Sequence, residues 1–305
     1  MLAAVGVSVF LAWTQGAQLL QQGIRLSLPL VILSFAVECA GLFIAVPIWR
    51  RVLSGYGIHH LWRDDLRLYC YGALGAVLPG SIWTIAGRSV LYQRLGDSSV
   101  RVAAASVMEA LLIGVAATGV YGTTLLIHPE TSIWQQPVLG MVVVAFALVL
   151  LHPRIFNRIS TEILTRTGSA CEDASIPAFR TRDLLTWIIL DGGMVVIGGT
   201  ALFILLLSLI AVGTDVWVLV VAAWAAASIA GNLFFWLPGT AILRDGALVL
   251  AVAPSLGLPT AVLFAVLAHA WSIISLLVVA GLIWLILDLP PWSRRYRGIP
   301  PSRDG

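Results

Sequence analysis

The chain has 305 residues, of which 59% are hydrophobic and only 11% charged, with a net charge of +3 and a mean hydropathy of +0.96. A water-soluble domain carries roughly 25% charged residues, so a soluble fold here would leave large apolar patches in water. A bilayer removes that difficulty, and the small net charge, with no basic patch interleaved with aromatics, excludes nucleic acid as a partner.

A transmembrane helix needs ~20 predominantly apolar residues. Met1–Trp13 is apolar but too short to span, and it lacks the basic lead and small-residue cleavage site of a secretory signal. Either the first helix continues through Gln15–Leu20, or the start of the chain lies further upstream. The next apolar run is Leu28–Trp49, interrupted by Pro29, Glu38 and Pro47 and closed by Arg50-Arg51. Ser54–Arg67 is polar. Leu66–Ala86 is apolar with a break at Pro79-Gly80, and Val102–Ile127 holds a single carboxylate, Glu109. After the loop His128–Pro137 comes the span Val138–Leu151, then a charged connector, 152–183, with room for an interfacial helix. Leu184–Val212 contains Asp191. Val216–Leu237 contains Asn232 and ends at Pro238-Gly239. Ala247–Leu258 is short, and Pro259–Leu287 spans. The expected fold is therefore all-α, a polytopic bundle of about seven or eight spans with broken or re-entrant helices. It forms a single integral membrane domain, 1–287, followed by a disordered cytoplasmic tail, 288–305.

All 18 basic residues are arginines. Most of them gather in 50–67, 88–101, 154–182 and the tail, whereas the loops at 128–137 and 213–215 carry none. Arginine-rich loops are cytoplasmic. If 50–67 and 88–101 share a side, Leu66–Ala86 must enter and return on that side, turning at Pro79-Gly80. Tags after Arg51 and near Asn157 are therefore expected to report cytoplasmic, and one near Ser132 external; an external report at Asn157 would reverse the orientation. Trp49, Trp62, Trp134, Trp187, Trp217 and Trp292 lie near segment ends, as an interfacial aromatic belt requires. Cys39, Cys70 and Cys171 show neither disulfide nor zinc spacing. No cofactor or metal is expected, since His59, His60, Asp64 and Asp65 sit in a solvated loop.

Two stretches share one order of features. Leu78-Pro79-Gly80-Ser81 is followed by Arg88, then Leu95-Gly96, then an apolar run with Glu109. Leu237-Pro238-Gly239-Thr240 is followed by Arg244-Asp245-Gly246, then Leu256-Gly257, then an apolar run with His269. This marks an internal repeat, with halves at about 66–151 and 216–287 joined by the connector 152–183. Transporters built from two such halves bring broken helices together near the midplane. Backbone groups freed at a break must face protein or a wet cavity.

The pieces Leu78-Pro79-Gly80, Gly87-Arg88-Ser89, Gly96-Asp97-Ser98-Ser99, Ala103–Glu109, Leu237-Pro238-Gly239 and Leu243–Leu248 resemble the transmembrane region family of lysylphosphatidylglycerol synthases, a flippase-like domain. The resemblance covers residues 25–287. It departs where the family has an arginine after its glutamate, here Ala110, and a glutamate in place of Asp245. It implies movement of a phosphate-bearing lipid or lipid-linked intermediate between leaflets, without aminoacyl transfer. The expected binding set is Arg88, Glu109, Arg244, Asp245, Pro79, Gly80, Pro238, Gly239 and His269. The arginines would hold the anion, and Glu109 and Asp245 would orient them or relay protons. Expected partners are membrane lipids with anionic headgroups and, as an open alternative, a second copy of the chain. No catalytic motif is present. The competing readings are a membrane enzyme on a lipid-linked substrate, using His59, His60, Asp64 and Asp65, and a non-transporting scaffold subunit.

Overall fold

The computed structural model describes residues 27–78, 82–127, 141–145, 152–166, 179–235, 237 and 239–288. Its helices are α1 (Leu28–Gly55), α2 (Trp62–Ala73), α3 (Ile82–Gln93), α4 (Ser99–Ile127), α5 (Pro153–Arg166), α6 (Thr181–Leu209), α7 (Val216–Leu233), α8 (Thr240–Leu256) and α9 (Leu258–Ile283). A 3₁₀ turn, Leu74–Val77, extends α2, and a π-helical turn, Trp284–Asp288, extends α9. No strand occurs among the described residues. Five helices are long and apolar enough to cross a bilayer: α1, α4, α6, α7 and α9 with its extension. The chain is a multi-pass, all-helical membrane protein. The segments Met1–Leu20, 128–137 and the tail beyond Asp288, and most of Val138–Leu151, lie outside the described residues.

Lipid replaces water as the solvent for the outer surface, and the side chains show it. Ile189, Leu250 and Ile286 are 72%, 68% and 76% exposed on the outside of the bundle. The packed interior includes small residues that let helices approach closely, as membrane helices do without a hydrophobic drive between them. Ala117, Val195 and Ala225 join α4, α6 and α7. Gly199 sits so near Val221 that a Cβ would lie 2.8 Å from that residue's Cα.

Contacts fix which ends of the helices lie together. His60 meets Asp97 at 2.6 Å, so the α1–α2 and α3–α4 turns share one end of the bundle. Tyr56 hydrogen-bonds Ser160 of α5 at 2.9 Å and stacks on Phe179, which brings the connector to the same end. Burial there pushes the Tyr56 phenol up to about 12, against the opposing effect of the Ser160 bond. Arg67 and Tyr71 of α2 both bond Asp288, which puts the end of α9 there as well. Segments 50–67 and 94–101 and the described parts of 154–182 therefore lie together at a single basic end. At the opposite end Ser27 N–H donates to Ser208 O at 3.0 Å, tying the start of α1 to the last turn of α6.

Helix α1 runs unbroken past Arg50-Arg51 to Gly55, through both Glu38 and Pro47, so neither residue interrupts it. Helices α2 and α3 have 12 residues each. At ~1.5 Å per residue each is about 18 Å long, too short for a ~30 Å core. They fold back on each other, and both outer ends lie at the basic end. A Cβ on Gly75 would fall 2.5 Å from the backbone of Trp83. Overpacking of this kind costs roughly 1–3 kcal/mol. Gly75→Val is expected to lower the midpoint of thermal unfolding in detergent, whereas Gly246→Ala, at a glycine with nothing within 4 Å, leaves it unchanged.

The second pair, α7 and α8, starts and finishes at the opposite end. Its turn lies inside the bundle: Leu233 packs on Gly114, near the midpoint of α4. Gly239 adopts φ +89°, a left-handed conformation that glycine takes without Cβ strain. Thr240, 2% exposed, closes the turn by donating from its hydroxyl to Leu237 O at 2.5 Å.

Candidate functional site

Two arginines mark the interior. Arg88 on α3 is 4% exposed and ion-paired with Glu109 on α4, itself 6% exposed. Its guanidinium carbon lies 4.6 Å from the ring centre of Trp49 and 4.1 Å from that of Tyr69, distances at which the ring quadrupoles stabilise a cation. The Arg88 Nε has no hydrogen-bond partner. The close approach of the hairpin arms depends on Gly72, where any Cβ would strike the Arg88 side chain. From this pair a chain of polar contacts leads outward. Trp49 Nε1 donates to Tyr92 Oη at 2.9 Å, Tyr92 donates to Asp65 Oδ1 at 2.9 Å, and Arg50 Nε donates to Asp65 Oδ2 at 2.7 Å.

Trp49 is therefore no belt residue. It is fully buried because its ring faces Arg88 and its indole N–H needs an acceptor. Trp187 is buried too, edge-on to Phe179. Trp62 and Trp217, 38% and 37% exposed, suit the belt, and Trp134 and Trp292 lie outside the described residues.

Arg244 on α8 is engaged differently. It is half-buried, lies 4.7 Å over Trp224 of α7, and donates to Ser272 Oγ of α9 at 3.3 Å. Among the described residues no carboxylate comes within salt-bridge distance of it. Glu38 of α1 and Asp245 act on it electrostatically. Asp245 is paired instead with His269 Nδ1 of α9, at 3.0 Å. Two further buried atoms on α9, Trp271 Nε1 and Ser275 Oγ, lack partners.

Between α1, α4, α6 and α7 lies a cavity of about 170 Å³. Its lining includes Glu38, Asp191, Ser228, Asn232 and Trp224, the residue on which Arg244 stacks. Asp191 is 2% exposed, and its Oδ2 has no hydrogen-bond partner. Asn232 Nδ2 donates to Ser228 O at 2.9 Å, within its own helix.

The expected set thus divides. Arg88 meets Glu109, and Asp245 meets His269, while Arg244 faces the neighbourhood of Glu38. Gly239 forms the left-handed turn before α8. Pro79, Gly80 and Pro238 lie outside the described residues. Along the chain Glu38, Asp191 and Asn232 stand only as isolated polar residues in apolar runs. Their convergence on one cavity depends on helix rotation and crossing, which spacing along the chain does not carry.

The cluster proposed for an enzyme is occupied structurally. Asp65 is 2% exposed and tied to Arg50 and Tyr92, Asp64 contacts Arg67, and His60 contacts Asp97. Among the described residues no three His, Cys, Asp or Glu side chains are arranged to hold a metal. Arg50, Arg51, His59, His60, Trp62 and Asp65 line a cavity of about 340 Å³ at the basic end.

No family model matches the chain, and no curated protein is similar to it.

Proposed function

We propose that this protein moves a phosphate-bearing lipid or lipid-linked intermediate between the leaflets of the membrane. The observation that carries this reading is a pair of oppositely directed helical hairpins, each bearing an arginine stacked on a tryptophan, in a bundle whose α1, α4, α6 and α7 enclose a polar intramembrane cavity. Hairpin α2–α3 comes from the basic end, and α7–α8 comes from the other. Each is followed by a long helix that supplies a partner to the hairpin, Glu109 for Arg88 and His269 for Asp245. Each arginine stacks on tryptophan, Trp49 or Trp224. Read as a repeat, the two halves have inverted topology, which suits alternating access around a central site.

The arginines take different roles. Arg88 is paired with Glu109 and faces two rings, which ties α3 to α4. Arg244 has a hydroxyl and a ring but no paired carboxylate, so its planar fork is free for phosphate oxygens. Unpartnered donors on neighbouring α9 add to that side. Acyl tails would stay in lipid while the headgroup crosses, which matches a cavity too small for a whole lipid. The basic end faces the cytoplasm by the arginine rule. The flippase-like resemblance of the two Leu-Pro-Gly segments agrees with this assignment.

Purified protein in liposomes carrying fluorescent phosphate-bearing lipids tests it. Headgroup accessibility in the outer leaflet should change with time beyond protein-free liposomes for phosphate-bearing lipids but not for lipids without phosphate. Equal rates for all headgroups would point to nonspecific scrambling, and no rate for any would sink the reading.

A further inference from the structure

Among the described residues, apart from the pairs Arg50–Asp65 and His269–Asp245, the interior sets Arg88 and Arg244 against Glu38, Glu109 and Asp191. Glu109 is matched by Arg88, and Glu38 has Arg244 as its cationic neighbour. Among the described residues Asp191 has neither a counter-charge at ion-pair distance nor a donor for Oδ2, though it is 2% exposed and lines the cavity. An ionised carboxylate left alone in such a medium is strongly disfavoured, and the group neutralises instead. We infer that Asp191 is a proton-exchanging site that couples proton movement to transport through the cavity it shares with Glu38 and Asn232.

The surroundings support exchange. Helix α6 packs against α1, α4, α7 and, more lightly, α9. From α4 the acidic neighbour is Glu109, from α1 it is Glu38, and from the α2 hairpin the phenol of Tyr69 lies within electrostatic reach. Helix α7 contributes the neutral Asn232, Ser228 and Trp224, and α9 contributes nothing to the cavity wall. Among the described residues no cation pairs with Asp191, so the proton is its means of neutrality. The O–H bond breaks when the carboxyl gives its proton to water, leaving a carboxylate, and re-forms when a proton arrives from the other side. A phosphate reaching Arg244 would draw the guanidinium from Glu38, and the added negative charge would favour protonation at Asp191. Proton uptake is thereby linked to anion binding.

This inference rests on the transport reading, and its test separates the two. Infrared spectra of the purified full chain in nanodiscs should show a carboxylic-acid C=O band at neutral pH that titrates away in alkali and is missing in Asp191→Asn. Should that variant not fold, Asp191→Glu should move the band to the glutamic-acid frequency. An unchanged band in either variant overturns the proposal. In liposomes, a pH difference of one unit should shift the steady-state lipid distribution about tenfold per coupled proton, and Asp191→Asn should abolish the shift. A distribution that follows a sodium gradient and ignores pH overturns it as well. If the Asp191 band is present but wild-type protein moves no lipid, the lipid reading fails while the proton site stands.

Discussion

Arg88→Ala and Glu109→Ala should each destabilise the protein by about 3–5 kcal/mol, whereas the double variant Arg88→Met with Glu109→Leu should recover most of that loss. A single truncation leaves the partner charge buried and unpaired, while replacing both with apolar groups of similar volume is close to neutral. The geometry makes the coupling strong: both residues are nearly fully buried and bonded directly, and no other carboxylate among the described residues pairs with Arg88. Methionine can still pack on Trp49 and Tyr69, where the guanidinium now lies. Thermal unfolding in detergent with a double-mutant cycle measures this. Additive losses would mean that the two side chains do not meet. Transport provides a second readout. If the apolar double variant is stable and still moves lipid, the pair is a structural lock for the hairpin and nothing more.

Arg244→Gln should leave the fold nearly unchanged yet lower lipid translocation at subsaturating lipid roughly 10- to 150-fold, the equivalent of ~1.5–3 kcal/mol for a hydrogen bond to a charged group. Stability suffers less than at Arg88 because Arg244 is half-buried and, among the described residues, pairs with no carboxylate at salt-bridge distance, its hydrogen bond being the 3.3 Å contact to Ser272 beside the stack on Trp224. Transport suffers because glutamine offers neither the charge nor the fork. Arg244→Lys keeps the charge but loses bidentate geometry, so an intermediate rate is expected. Wild-type rates in both variants would remove Arg244 from the path and leave the second hairpin without a ligand role. A collapse of expression in both would instead assign Arg244 to packing.

Much of the architecture is legible along the chain because it follows from short-range rules. Apolar run length against bilayer thickness identifies the long helices. The arginine distribution required segments 50–67 and 88–101 to lie together, and the contact of His60 with Asp97 brings them together. That in turn makes Leu66–Ala86 a hairpin, and α2 and α3 are indeed two short helices folded back on each other. The pairing of Arg88 with Glu109 was also suggested by order, since a short linker returns α4 beside the hairpin.

Other features depend on helix rotation, which apolar composition on every face leaves undefined. Trp49 looks interfacial by position, one turn from Arg50-Arg51, but α1 turns it inward onto Arg88, and the helix continues to Gly55. Glu38, Asp191 and Asn232 stand on three different helices, far apart in sequence, and meet only because α1, α6 and α7 cross around one cavity. The membrane character of the chain and the gathering of segments 50–67 and 94–101 at one end are legible from residue order alone, because hydrophobicity and charge act locally; that α7 and α8 form a second hairpin is not, since Val216–Leu237 reads as a plain span. Which buried charges find partners, and that Asp191 finds none among the described residues, follows from distances between helices, and those are set by packing.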